Sequence, residues 1–347
     1  MENIKALIRT EGHVKLGMGN IYRCIRIARK IKQLHNTDIQ FIVEPTSMVG
    51  LKKILDAGFK VDLVDFSNIK QYIKYIKNYN PDIVINDILN LEEDYVKELR
   101  KLNVLIINFE DKEISVTREY ADIVFNSLYE DKETRVDYYS GPKYAPIREE
   151  FRNIKERKIN KECKNFLLTF GGSDPSGFTL KVSKVLNRIP NIKITIFLGP
   201  SFSNREPLND LLKYLDKEKF IIKYDVEYDP EYFKDADIAI ASGGNTVYEL
   251  SASGVPIILL NQNQLETDRG KIFAKYGNLI NMGDGNKLDD ETLLKTIKKL
   301  MNDYGLRKKM SKKGQELVDG NGIDRIVETI FDKLKDKKLQ VQEIRQR

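Results

Sequence analysis

Short apolar runs rich in Ile, Val and Phe recur along the first half of the chain: IKALIRT (4–10), IQFIVE (39–44), VDLVDF (61–66), DIVIND (82–87), VLIINFED (104–111) and DIVFNS (122–127). Between several of them apolar residues return instead every three or four positions, as in IYRCIRIARKIKQL (21–34) and EEDYVKELRKL (92–102). That is the period of a helix with one buried face. Strands apolar on both faces, alternating with such helices, predict a parallel sheet covered on both sides. The second half repeats the scheme with FLLTFGG (166–172), ITIFLG (194–199), FIIKYDV (220–226), DIAIASGG (237–244), VPIILLN (255–261) and LINMG (279–283). Helical patterns again intervene at TLKVSKVLNRI (179–189) and TVYELSAS (246–253). The expected fold class is therefore α/β, as two units in tandem.

A length of 347 residues suits two domains with separate cores. The stretch SGPKYAPIREEFRNIKERKINKECK (140–164), with two prolines and many charges, reads as the linker, which places the boundary near residue 155. The expected domains are 1–155 and 156–330, and FDKLKDKKLQVQEIRQR (331–347) reads as a charged helical tail. The longest apolar run, Val255 to Leu260, is far short of the roughly 18 residues needed to cross a bilayer, so no membrane span is expected. MENIKALIRT lacks the features of a secretory signal. Cys24 and Cys163 are too few for a disulfide framework and too isolated for a zinc site, so a cytoplasmic protein with reduced thiols is expected. The net charge of +6 comes from lysines scattered among acids, which disfavours a nucleic-acid groove while suiting a small anionic ligand.

In an open parallel sheet, ligands sit at the carboxyl ends of strands, where loops enter helices. Three loops meet that criterion. The first, EGHVKLGMGN, carries Gly17 and Gly19 and ends on Asn20, which in its plainest role caps the helix that follows. It lacks the third glycine of a dinucleotide fingerprint, which disfavours a dehydrogenase. The second, FGGSDPSG (170–177), offers Gly171, Gly172 and the Ser173 hydroxyl as a phosphate cradle, with an Asp-Pro turn as the simpler alternative. The third, ASGGNTVYEL (241–250), offers Gly243, Gly244, Asn245 and Thr246, with Glu249 a turn inside the helix where its carboxylate could accept ribose hydroxyls. A fourth cluster, NQNQLETDRG (261–270), contains the amides Asn263 and Gln264, suited to sugar hydroxyls. One ligand with two phosphates and a ribose would use both second-half glycine loops.

Taken together, these segments resemble the GT-B superfamily of nucleotide-sugar enzymes. They look most like the pseudaminic-acid-pathway UDP-sugar hydrolases and their spore-coat-polysaccharide relatives, distant kin of the peptidoglycan N-acetylglucosaminyltransferase. The resemblance rests on Gly17, Gly19, Arg23 and Cys24 in the opening loop, GPKYAPIREEF, GGSDP, ASGGNTVYEL, and the Asn263–Gln264 pair. It implies two Rossmann-like domains facing across a cleft. The second would bind UDP through Gly171, Gly172, Ser173, Gly243, Gly244, Asn245, Thr246 and Glu249. Gly17, Gly19, Arg23, Asn263 and Gln264 would meet the sugar. No metal or other cofactor is implied, and no ligand cluster demands one.

The resemblance also marks departures. Those hydrolases carry a histidine base where this chain has Asn20, and a D-x-Y pattern where this chain reads Asp87, Ile88, Leu89. Asn20 cannot accept a proton near neutral pH, and the candidates to replace it are His13 and Asp87. Hydrolysis of a UDP-sugar to a free amino-deoxy sugar is the leading expectation. Transfer of the sugar to a glycan or lipid, with Asn20 positioning the acceptor, is the alternative, and a UDP-sugar-binding module without activity is a third. The oligomeric state is not encoded in any of these motifs.

Overall fold

A computed structural model of the chain describes residues 3–12, 18–110, 115, 117–129, 137–199, 202, 204–213, 218–224 and 230–346. It divides into two compact units, Met1–Pro146 with Asn321–Arg347, and Ile147–Gly320.

The first unit follows the order β1 (Ile4–Thr10), α1 (Gly19–Leu34), β2 (Thr37–Val43), α2 (Met48–Asp56), β3 (Lys60–Leu63), α3 (Ile69–Tyr79), β4 (Ile83–Asp87), α4 (Glu93–Arg100), β5 (Leu105–Phe109), β6 (Ile123–Asn126) and β7 (Asp137–Ser140). Its seven strands are parallel and run β3-β2-β1-β4-β5-β6-β7. Alternation along each strand builds two apolar layers. Ala6, Ile8, Ile83, Ile85 and Ile107 pack with Ile25 and Ala28 of α1, while Leu7, Val84 and Ile106 pack with Ile76 of α3 and Val96 of α4. β7, whose DYYS sequence has no apolar run, was not expected; it pairs at the sheet edge with β6.

The second unit contains β8 (Asn165–Thr169), α5 (Phe178–Asn187), β9 (Lys193–Leu198), α6 (Arg205–Leu212), β10 (Phe220–Tyr224), α7 (Pro230–Phe233), β11 (Ile238–Ala241), α8 (Thr246–Ala252), β12 (Ile257–Asn261), α9 (Gln264–Lys275), β13 (Leu279–Asp284), α10 (Asp290–Asn302) and α11 (Tyr304–Leu317). Its six strands are parallel in the order β10-β9-β8-β11-β12-β13. Both sheets thus reverse their order between the first and fourth strand of the unit, β1/β4 and β8/β11. The loops that leave such a pair part to opposite faces and open a crevice at the strands' carboxyl ends.

Two boundaries differ from those expected. The chain passes from the first unit to the second after Pro146 rather than near residue 155, and it returns at Asn321. Residues expected to close the second domain and to form a tail are one helix, α12 (Gly322–Gln346), of the first unit. The reason is its apolar stripe: Ile323, Ile326, Val327, Ile330 and Leu334 join the α1 side of the first core. Lys30 pairs with Asp324, Lys337 with Asp122, and the rings of His35 and Phe331 stack at 3.5 Å. Among the described residues no helix is long and apolar enough to cross a membrane.

Ile326 and Ile330 are fully buried. Truncating either to alanine is expected to destabilise the first unit by about 2–5 kcal/mol, the usual cost of a core cavity. Lys335→Ala, on the same helix, serves as the control with little change. Thermal and urea unfolding curves check the comparison.

Candidate functional site

At the first unit's switch point, β1 and β4 end in register, Thr10 opposite Asp87. The chain leaving β1 passes tightly over the start of α1. A Cβ added at Gly12 would lie 2.5 Å from Cγ1 of Ile21, so this close approach requires glycine. Ser47 fixes the turn from the other side, its hydroxyl donating to the Gly12 carbonyl at 2.6 Å and accepting from the Gly12 amide at 3.2 Å.

α1 begins at Gly19 with Met18 as its cap, so Asn20 lies inside the first turn and is not the capping residue. Its amide nitrogen donates to the Asp87 carbonyl at 3.3 Å and its oxygen accepts from Arg23 Nη2 at 3.4 Å. Arg23, expected to meet the sugar, is instead buried and grips the Asp87 carboxylate with two bonds, Nε to Oδ2 at 2.6 Å and Nη2 to Oδ1 at 2.5 Å. The Cys24 thiol donates to the same carboxylate at 3.4 Å. Burial pushes that thiol well up, and the neighbouring Asp87 charge adds to the shift. Asp87 is itself 1% exposed with both oxygens engaged, a geometry that orients α1 on β4 rather than presenting a base. His13 and Gly17 lie outside the described residues.

The next residue after β1 was not singled out by the glycine pattern. Glu11 is half-buried, and its Oε1 accepts from the Leu89 amide at 2.5 Å. Burial raises its carboxyl above the ordinary range, and the negative charges of Asp87 and Glu44 act in the same direction, against the Leu89 amide and Arg9. Two residues before it, Arg9 is held by two bonds to Glu92 at 2.8 and 2.9 Å, with the Phe66 ring centroid 4.0 Å from the guanidinium carbon.

At the second switch point the loops are built by carboxylates and amides turned inward. Asp174, 2% exposed, accepts from the first amides of α5, Phe178 N at 2.9 Å and Thr179 N at 2.8 Å. The α5 terminus therefore already carries an anion, and the Asp-Pro turn is a helix cap. Burial raises the Asp174 carboxyl, opposed by those hydrogen bonds. Ahead of it Gly171, at φ +74°, and Gly172 are exposed, and nothing lies within 4 Å of a Cβ added to either. Ser173 follows, half-buried.

In the loop after β11, Gly243 and Gly244 behave differently. A Cβ on Gly243 would lie 2.8 Å from Asn261 Oδ1 and 3.0 Å from the Glu266 carbonyl, whereas one on Gly244 meets nothing within 4 Å. Glu266 ties this loop to the next: its carboxylate accepts from the Gln262 amide at 2.8 Å and from the Gly243 amide. Burial raises that carboxyl, against those amides and Arg269. Asn245 and Thr246 open α8 and are half-buried. Glu249, expected at a ribose, is 3% exposed and paired with Arg148 at 2.5 Å. Asn263 caps α9 by accepting from Glu266 N at 2.9 Å, and Gln264 donates to both oxygens of Asp268 at 3.1 Å. Among the described residues no His, Cys, Asp and Glu side chains cluster as a metal site.

No family model matches the chain. Among curated proteins it is 38% identical to an uncharacterized protein of Methanocaldococcus jannaschii over 76% of this chain, and it spans only 57% of that relative's length. It is 28% identical to the spore coat polysaccharide biosynthesis protein SpsG of Bacillus subtilis, over 94% of this chain and 97% of that one. It is 24% identical to the pseudaminic acid cytidylyltransferase and UDP-2,4-diacetamido-2,4,6-trideoxy-beta-L-altropyranose hydrolase of Helicobacter pylori, over 75% of this chain and 45% of that one. Among solved structures, MurG of Acinetobacter baumannii superposes with a TM-score of 0.75 at 15% identity, covering 95% of this chain and all of the other. The spinosyn rhamnosyltransferase SpnG complexed with thymidine diphosphate gives 0.66 at 11% identity, covering 94% and 100%. The two Rossmann-like parallel-sheet units of this chain are those of the GT-B fold.

Breaking the Arg23–Asp87 pair from one side leaves a buried charge without its partner. Asp87→Leu and Arg23→Met are each expected to cost about 3–5 kcal/mol, and the double variant Arg23→Met/Asp87→Leu less than the sum of the singles. Denaturant unfolding of the four proteins reads this coupling directly.

Proposed function

We propose that the chain binds a UDP-sugar and cleaves the bond between the anomeric carbon and the diphosphate, with water as the leading acceptor. The observation that carries the nucleotide half is the division of labour at the second switch point. Asp174 and Glu266 hold two glycine loops from within, and Gly171, Gly172 and Gly244 are left with open space where a side chain would stand. Backbone amides in such loops can approach phosphate oxygens without a side chain intervening. Ser173, Asn245 and Thr246 add side-chain donors at the same loops. A ribose contact by Glu249 requires its pair with Arg148 to open. Asn263 and Gln264 are better explained as the start of α9 than as sugar ligands, since the oxygen of one and the nitrogen of the other are engaged locally.

UDP leaves readily, so donors aimed at the diphosphate lower the barrier without protonating the leaving group. Hydrolysis is supported by the Helicobacter relative, whose name includes that activity, while the end-to-end likeness to SpsG supports a part in polysaccharide biosynthesis. Transfer to a glycan or lipid is the second reading. It is supported by a 24%-identical relative from Bacillus pumilus, named as the N-acetylglucosamine transferase acting on pyrophosphoryl-undecaprenol.

Release of UDP from UDP-2,4-diacetamido-2,4,6-trideoxy-β-L-altropyranose in water alone supports hydrolysis; dependence on an added glycan or lipid supports transfer. UDP that raises the melting temperature no more than inorganic phosphate does would sink the nucleotide assignment. Gly244→Ala is expected to melt like the parent, because its Cβ has room, yet to weaken UDP about tenfold or more, the effect of about 1.4 kcal/mol. Isothermal titration calorimetry on both proteins measures it.

A further inference from the structure

We propose that Glu11 is the general base of this reaction, taking the proton of the attacking water in the role that Asn20 cannot fill; the inference rests on the reaction proposed above. Its position comes from topology. Glu11 directly follows β1 and Asp87 ends β4, the two strands between which the sheet order reverses. The loop after β4 holds both side chains of interest: Asn20 donates to the carbonyl of Asp87, and Glu11 accepts from the amide of Leu89, two residues on. The Gly12–Ile21 contact presses the same pieces together from the β1 side. Glu11 and Asn20 therefore stand on one short stretch of backbone at the place where a ligand of this sheet is expected.

Among the described residues, the other carboxylates of this edge are engaged or lie off it. Asp87 is gripped by Arg23 on both oxygens, Glu92 by Arg9, and Glu110 by Arg118 at 2.9 and 3.0 Å. Glu44 follows β2, one strand away from the reversal, and is exposed. Glu11 combines partial burial with a single anchoring bond on Oε1, and its Oε2 accepts no hydrogen bond from a described residue. A base needs this arrangement: one oxygen fixes the carboxylate while the other meets the proton.

The step balances simply. The oxygen of water bonds to the anomeric carbon as the bond from that carbon to the β-phosphate oxygen breaks, its electron pair leaving on UDP. The water proton passes to Glu11 Oε2 and then to solvent, and the sugar is released with inverted configuration. Among the described residues the groups acting on Glu11 are Asp87 from β4, Glu44 after β2, Arg9 from β1 and the Leu89 amide, and burial with the two acids keeps its carboxyl raised. Because the ionised form is the base, kcat/KM falls as pH drops through that raised value.

The test uses the full chain with the trideoxy-altropyranose donor and with UDP-N-acetylglucosamine. Glu11→Gln retains an acceptor for the Leu89 amide, so it is expected to melt no lower than the parent and to bind UDP equally well. Its kcat should drop by about 10²–10⁴-fold and the acidic limb of its pH profile should vanish. Added sodium formate is expected to restore turnover to Glu11→Ala in a concentration-dependent way. An unchanged kcat in Glu11→Gln overturns the assignment while leaving the proposed reaction in place. A fall in kcat accompanied by equal losses in UDP affinity and melting temperature makes Glu11 structural and also overturns it. A parent protein that turns over neither donor, with water or with acceptor, overturns the reaction itself and this inference with it.

Discussion

The carboxylate of Asp87 is buried at the carboxyl end of β4, where an unpaired charge would be costly. Arg23 resolves this by reaching from the first helix to the fourth strand, and the bond pattern, two nearly parallel N–H donors on one carboxylate, leaves little freedom in angle or distance. Everything at that edge inherits the constraint. With α1 fixed to β4, Asn20 falls against the Asp87 carbonyl, Ile21 presses on Gly12, and Glu11 is carried to the Leu89 amide. An arginine and an aspartate far apart in sequence thus set the placement of groups that the opening glycines alone would leave loose.

The second unit reaches a similar result with different parts. Its inward carboxylates, Asp174 and Glu266, satisfy helix and loop amides and so hold the glycine turns in place. The two units share a logic of construction. Polar residues that a sequence reader would assign to a ligand are the ones that hold the loops, and the contact surface left over is largely backbone. Specificity for a nucleotide would then lie in the shape and spacing of amides more than in a conspicuous side chain.

That logic explains what the sequence did and did not reveal. The strands were legible because Ile-rich runs such as IKALIRT and DIVIND point to a doubly covered sheet, and the glycine loops were legible because they interrupt those runs at strand ends. Arg23, Asp87 and Glu249 were visible as chemistry but not as partners, since a pair such as Arg23–Asp87 is decided by tertiary packing. Glu11 and Glu266 were overlooked because neither sits in a glycine pattern, although the position directly after a strand at a sheet reversal is itself a readable signal. The stripe Ile323, Ile326, Val327, Ile330 and Leu334 has plain helical spacing, but the expected boundary at residue 330 cut it, leaving its first four residues in the second domain and Leu334 in a charged tail. β7 escaped because an edge strand buries too little to need an apolar run.

The return of α12 to the first unit has a consequence for assembly in time. Ile147–Gly320 is one continuous stretch and can close its core as soon as it has left the ribosome, whereas the core around α1 lacks one of its covering faces until α12 has been translated. The unit begun first is therefore the last completed, reversing the usual order in which domains form during synthesis. Throughout translation of the second unit the apolar positions that Ile323, Ile326, Val327, Ile330 and Leu334 later cover remain without that cover.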